Sequence, residues 1–66
     1  MDIRLNGAQR AVPARCSIAE LLEDAGLGGR RVAVEVNGEI VPRGAHGERL
    51  LAEGDRVEIV HALGGG

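Results

Sequence analysis

The sequence contains no Phe, Tyr or Trp, no lysine, a single cysteine and two separated histidines, and each shortage removes a class of function. One thiol cannot close an internal disulfide, and with His46 and His61 it does not complete the donor set of a closed tetrahedral metal site. Without aromatic rings there is no platform for stacking bases. The formal charge of −2, with all cationic side chains Arg and one adjacent pair, Arg30-Arg31, leaves no basic footprint for nucleic acid. No stretch approaches the roughly 18 apolar residues of a membrane-spanning helix. The opening Met1-Asp2-Ile3-Arg4 lacks the apolar segment of a signal peptide, so no membrane association and a cytoplasmic location are expected. The absence of lysine also excludes lysine-linked chains of this protein on itself.

What remains is enough for one small domain. A chain of 66 residues buries only roughly 60% of the surface its unfolded form exposes, and its core must come from Val, Leu, Ile and Ala. Glycine is over-represented, with 11 residues against a usual share of about 7%.

Ile3 and Leu5 alternate with Asp2, Arg4 and Asn6, the period of a half-buried strand, and Asn6-Gly7 favours a tight hairpin into a second strand through Arg10, Ala11 and Val12. Pro13 ends that strand or places it at an edge. Ser17 and Glu20 have capping-box spacing, which predicts a helix from Ile18 with an apolar stripe of Ile18, Leu21, Leu22 and Ala25 and a stop at Gly26. Val32, Val34 and Val36 alternate into Asn37-Gly38, a second hairpin signal, with Glu39-Ile40-Val41 as the return strand halted by Pro42. Residues 43–49 show no period, and Leu50 and Leu51 are expected to tuck onto the core. Val57 and Ile59 alternate in a last strand reaching about Ala62. One helix stripe facing Ile3, Leu5, Val32, Val34, Val36, Val57 and Ile59 predicts a two-layer α+β fold.

Eight glycines have turn, cap or loop explanations, whereas Gly64, Gly65 and Gly66 follow the last strand and join no further element. They read either as a frayed end or as the means of presenting the carboxylate of Gly66 as a reactive group. A glycine acyl group has no Cβ hindering approach, and with Leu63 the extended tail reaches on the order of 13 Å, enough to thread a narrow channel into another protein. A tail of this kind is substrate, not catalyst, and it precedes no helix, so it is no phosphate loop.

Ser17-Ile18-Ala19-Glu20-Leu21-Leu22, the stretch from Val34 through Asn37-Gly38-Glu39-Ile40-Val41-Pro42-Arg43, and Leu51-Ala52-Glu53-Gly54-Asp55-Arg56-Val57-Glu58-Ile59-Val60 leading to Ala62-Leu63-Gly64-Gly65-Gly66 cover nearly the whole chain. In these segments it resembles the ThiS family, the sulfur carriers of thiamin biosynthesis. The resemblance implies a ubiquitin-like β-grasp, a mixed sheet of about five strands with one main helix on one face and the first and last strands parallel. It divides the chain into a β-grasp domain over 1–62 and a flexible tail over 63–66. It further implies a monomeric carrier that is not an enzyme and binds no cofactor. An adenylating partner of the ubiquitin-activating type would use Mg-ATP to activate Gly66. A persulfide charged by a cysteine desulfurase would convert the adenylate to a thiocarboxylate, and thiazole synthase would receive the sulfur. The same chemistry feeding molybdopterin, and a ubiquitin-like modifier or interaction module, are the alternatives. Family members often carry an aromatic residue before the last strand, where this chain has His46.

Among other candidates, Cys16 precedes the helix and reads either as a persulfide acceptor or, better, as a half-buried hydrophobe. His46 and His61 lack partners nearby in sequence and are expected at the surface or an edge. Alternation places Val60 on the face opposite the core, near Leu63, as a partner-docking residue flanked by Arg56 and Glu58; a covering loop is the plainer alternative.

Overall fold

Two Asn-Gly dipeptides organise the sheet. In a computed structural model that describes residues 1–61, Asn6 and Gly7 adopt φ of 50° and 85°, and Asn37 and Gly38 adopt 53° and 87°. Both pairs thus have the positive dihedrals that a two-residue hairpin turn matching strand twist requires. The first turn joins β1 (Asp2–Leu5) to β2 (Ala8–Ala11), and the second joins β3 (Val32–Val36) to β4 (Glu39–Val41). The loops set the registers: Leu5 lies opposite Ala8, and Val36 opposite Glu39. The expected tail, including Leu63, Gly64, Gly65 and Gly66, and the boundary after residue 62 lie outside the described residues.

Helix α1 (Ile18–Asp24) starts where the capping box places it. The Ser17 hydroxyl accepts from the Glu20 amide at 3.1 Å, and the Ser17 amide donates to the Glu20 carboxylate at 2.9 Å. Two further first-turn amides are served from far along the chain, Ile18 by the Arg49 carbonyl and Ala19 by the His46 carbonyl. These bonds, with a bridge between Ser17 and Leu50, position the aperiodic segment 43–51. It contains one short 3-10 turn at Arg43–Ala45. Leu51 enters the core as expected, whereas Leu50 stays 44% exposed, because neighbouring residues on a bridging, extended stretch point in opposite directions.

Strand β5 (Arg56–His61) lies in the middle of a five-stranded sheet ordered β2-β1-β5-β3-β4. It runs parallel to β1 and antiparallel to β3. The chain is therefore the expected α+β β-grasp: hairpins form the two flanks and α1 covers one face. Ile18, Leu21 and Leu22 pack into a core with Ile3, Val34, Val36, Val57 and Ile59, closed at its edges by Val12, Cys16, Val41 and Leu51. Leu5 and Val32, expected on this face, are only partly buried at its margin. An ion pair of Arg10 with Asp24 at 2.9 Å links β2 to the end of the helix.

Candidate functional site

The residues leading to the tail are set by β5. Strict alternation sends Val57 and Ile59 into the core and leaves Arg56, Glu58 and Val60 on the face opposite α1. Val60 is 60% exposed, so no described loop covers it. On β3 the same face carries Ala33, opposite Val60, and Glu35, opposite Glu58. On β4, Ile40 lies opposite Glu35 and is 63% exposed. The sequence places Ile40 on a strand without giving it a face. Its orientation follows from the Asn37-Gly38 turn, since a two-residue loop pairs 36 with 39 and therefore 35 with 40. An outward Glu35 thus requires an outward Ile40.

The two turn asparagines hold β5 from both sides, a role not visible in the Asn-Gly signal. β1 pairs with β5 only through Arg56 and Val57, then leaves at the turn. There the Asn6 side-chain carbonyl accepts from the Ile59 amide at 2.7 Å and extends the ladder by one bond. On the other side the Asn37 side chain accepts from the Arg56 amide at 2.9 Å and donates to Asp55 at 2.9 Å. Asp55 also accepts from the Ala52 amide at 2.8 Å, which fixes the turn feeding the strand. β3 accompanies β5 as far as the pairing of Val32 with His61. Beyond Ile59 the strand therefore has a described strand neighbour on one side only.

Of the remaining candidates, Cys16 is buried, not half-buried, and its thiol lies 3.4 Å from the Ser17 carbonyl oxygen, to which it donates. Burial raises the thiol above its ordinary range, and the Glu20 and Asp24 carboxylates push it the same way. The helix amides that would favour a thiolate are already occupied. Cys16 is accordingly a core residue. His61 is exposed on β5, as expected. His46 corrects the expectation of a surface or edge position: it is 7% exposed, and Nε2 donates to the Val41 carbonyl oxygen at 3.1 Å. The 3-10 turn after Pro42 carries its ring inward, which no period in the sequence announces. Beside it lies a depression of about 260 Å³ lined by Leu22, Leu27, Val32, Arg30 and Arg43. That is below the about 300–1,000 Å³ of small-molecule sites, and it lies on the helix side of the sheet, opposite Val60. Among the described residues no group of three metal-ligating side chains occurs, and no helix is long and apolar enough to cross a membrane.

The described site is thus a sheet face carrying both apolar and charged side chains, on the strand that ends at His61. The ThiS family model matches residues 3–66. The whole chain superposes on the crystal structure of the thiamine biosynthesis protein ThiS from Geobacter metallireducens with a TM-score of 0.85 and 33% identity, covering 100% of both chains. The solution structure of a thiamine biosynthesis protein from the same organism gives a TM-score of 0.77 at 32% identity, covering 100% of this chain and 88% of that one. In sequence, the chain is 39% identical over its full length to part of a thiazole synthase from Paramagnetospirillum magneticum, and 41% identical to part of one from Magnetococcus marinus. It spans 20% of the length of each of these curated relatives.

Proposed function

Because the chain belongs to the ThiS family, we propose that it is a sulfur carrier for thiamin biosynthesis and that Gly66 is the residue that carries the sulfur. The observation that supports this most strongly is a family match that runs through the three terminal glycines of this sequence, residues 64–66, and not over the folded body alone. In this reading the Gly66 carboxylate attacks the α-phosphate of ATP on an adenylating partner, releasing pyrophosphate and giving an acyl-adenylate. The terminal sulfur of a protein persulfide then displaces AMP from the acyl carbon. A thiol reduces the resulting acyl disulfide, freeing the thiocarboxylate for thiazole synthase.

The chain itself supplies binding and reach. Leu63, Gly64 and Gly65 enter the partner's active site, the two glycines having no side chain to oppose passage through a narrow channel, and Val60, Arg56 and Glu58 meet the partner outside it. The partner holds Mg-ATP. Thiazole synthase as recipient is supported by the two relatives, in which a segment like this chain forms part of a protein of that name.

Intact mass after incubation with ATP, the adenylating enzyme and a persulfide donor tests the proposal. The expected result is a gain equal to exchange of one oxygen for sulfur, abolished when Gly66 is deleted. No gain, or an undiminished gain after the deletion, refutes it.

A further inference from the structure

The two edges of the sheet are unequally protected. β4 is three residues long and stops at Pro42. β2, outermost on the other side, pairs with β1 alone and has no proline, no lysine and no bulge in its register, the devices that blunt an exposed edge. Met1 and Val12 exchange both of their backbone bonds at 2.8 Å, so by alternation Arg10 and Ala8 are the residues of β2 bonded to β1. Gln9 and Ala11 therefore turn their amides and carbonyls outward, and both are exposed. Their neighbours on β1 agree: the Arg4 amide donates to the Asp55 carbonyl and the Asp2 carbonyl accepts from the Gly54 amide, both away from β2. Between this edge and α1 lies a depression of about 160 Å³ lined by Val12, Pro13, Cys16 and Leu21 with the acidic Glu20 and Asp24. Arg10 takes Asp24. Glu20 commits one carboxylate oxygen to the Ser17 amide and its other has no described partner, and α1 contains no basic residue.

We propose that the β2 edge and this depression bind an extended, aliphatic and cationic peptide segment of a partner protein, added antiparallel to β2. Main-chain bonds to Gln9 and Ala11 supply affinity, and alternate side chains supply specificity. Arg10 lies opposite buried Ile3 and so faces the helix side, as does Val12. On the added strand the residues opposite Arg10 and Val12 face the same way. An aliphatic side chain opposite Val12 covers the depression, and a cation beyond it reaches the free oxygen of Glu20. A second copy of this chain fits less well, because pairing two β2 strands with Gln9 opposite Ala11 sets the two Arg10 side chains against each other. β1 separates β2 from β5, and the depression is on the side of the sheet opposite Val60. A peptide held here leaves Val60 and the strand end free, so two proteins can hold the chain at once. The proposal goes beyond the carrier reading and does not depend on it.

The probe is the peptide acetyl-Lys-Thr-Val-Thr-Val-Thr-amide, whose last two threonines lie opposite Ala11 and Gln9, titrated into the full chain and followed by amide NMR. The expected result is a dissociation constant on the order of 1 mM or tighter, with shifts at Gln9, Ala11, Val12 and Leu21, slowed exchange of the Gln9 and Ala11 amides, and weakening as salt rises. Ala11→Pro removes one outward donor and no bond to β1, so the chain keeps its sheet and binds about fivefold or more weakly. A peptide methylated on the amides of its last two threonines tests the same bonds without altering the protein, and it too binds about fivefold or more weakly. Replacing the lysine by glutamate weakens binding. No shifts at about 10 mM peptide, shifts confined to the Val60 face, or equal binding of the methylated peptide overturns the proposal, and equal binding of the glutamate peptide overturns the assigned partner chemistry. None of these outcomes depends on the sulfur gain in mass, so the two readings fail separately.

Discussion

Replacing Asn6 tests how the strand leading to the tail is held. The Asn6 side chain accepts from the Ile59 amide at 2.7 Å in a half-buried setting. Asn6→Ala leaves that donor without its partner, which costs about 1–3 kcal/mol. It also puts a non-glycine residue lacking asparagine's local hydrogen bonding at φ 50°, adding about 1 kcal/mol. The sum is about 2–4 kcal/mol, set against about 3–10 kcal/mol for the stability of a domain this size. At about 4–8 °C per kcal/mol, the melting temperature should fall by about 8–30 °C. Asn6→Gly removes the bond and keeps the dihedral accessible, so it should fall less. Asn6→Asp keeps both the acceptor and the tolerance of positive φ and should melt close to wild type. Thermal melts by circular dichroism, with amide hydrogen exchange at Ile59, measure the series. If Asn6→Gly melts with wild type and the Ile59 amide exchanges no faster, the side-chain bond contributes nothing and the reasoning fails.

Two further expectations follow from the helix N-terminus. Ser17→Ala removes the oxygen that caps the Glu20 amide and should cost about 1 kcal/mol, or about 4–8 °C in melting temperature; an unchanged melt would show that the cap is dispensable. The Cys16 thiol is raised above its ordinary range, chiefly by burial. It should therefore react with iodoacetamide far more slowly in the native chain than in the unfolded one at mildly alkaline pH. The native state holds this proton longer than the unfolded state, so its contribution to stability is complete below the unfolded thiol's pKa and declines as pH rises through it toward the native value. Equal alkylation rates in the two states would contradict the assigned burial.

Legibility divided according to the range of the interactions. Hairpins at Asn6-Gly7 and Asn37-Gly38, the capping box of Ser17 and Glu20, and the alternation of Val57, Ile59 and Val60 depend on residues within a few positions of one another, and each appears as read. His46 and Leu50 departed from expectation because their segment has no period of its own. Its conformation is set by bonds to α1 roughly thirty residues away, from the Arg49 and His46 carbonyls to the Ile18 and Ala19 amides. Ile40 stood between these cases, since its face follows from the turn once the register is counted. The parallel neighbours β1 and β5 came with the family resemblance, since no local pattern records which strands meet.

By itself the sequence determined the elements, their order, the inward residues of β1, β3 and β5 and the glycine-rich end, because steric preference and hydrophobic period act over one or two turns of chain. Only the tertiary structure decided that the last strand lies at the centre, that two turn asparagines grip it from both sides, and that like charges from distant strands fall into rows on one face. The physical reason is that each of these depends on which segments pair across more than fifteen residues, and that choice is made by burying one shared core, not by any segment alone.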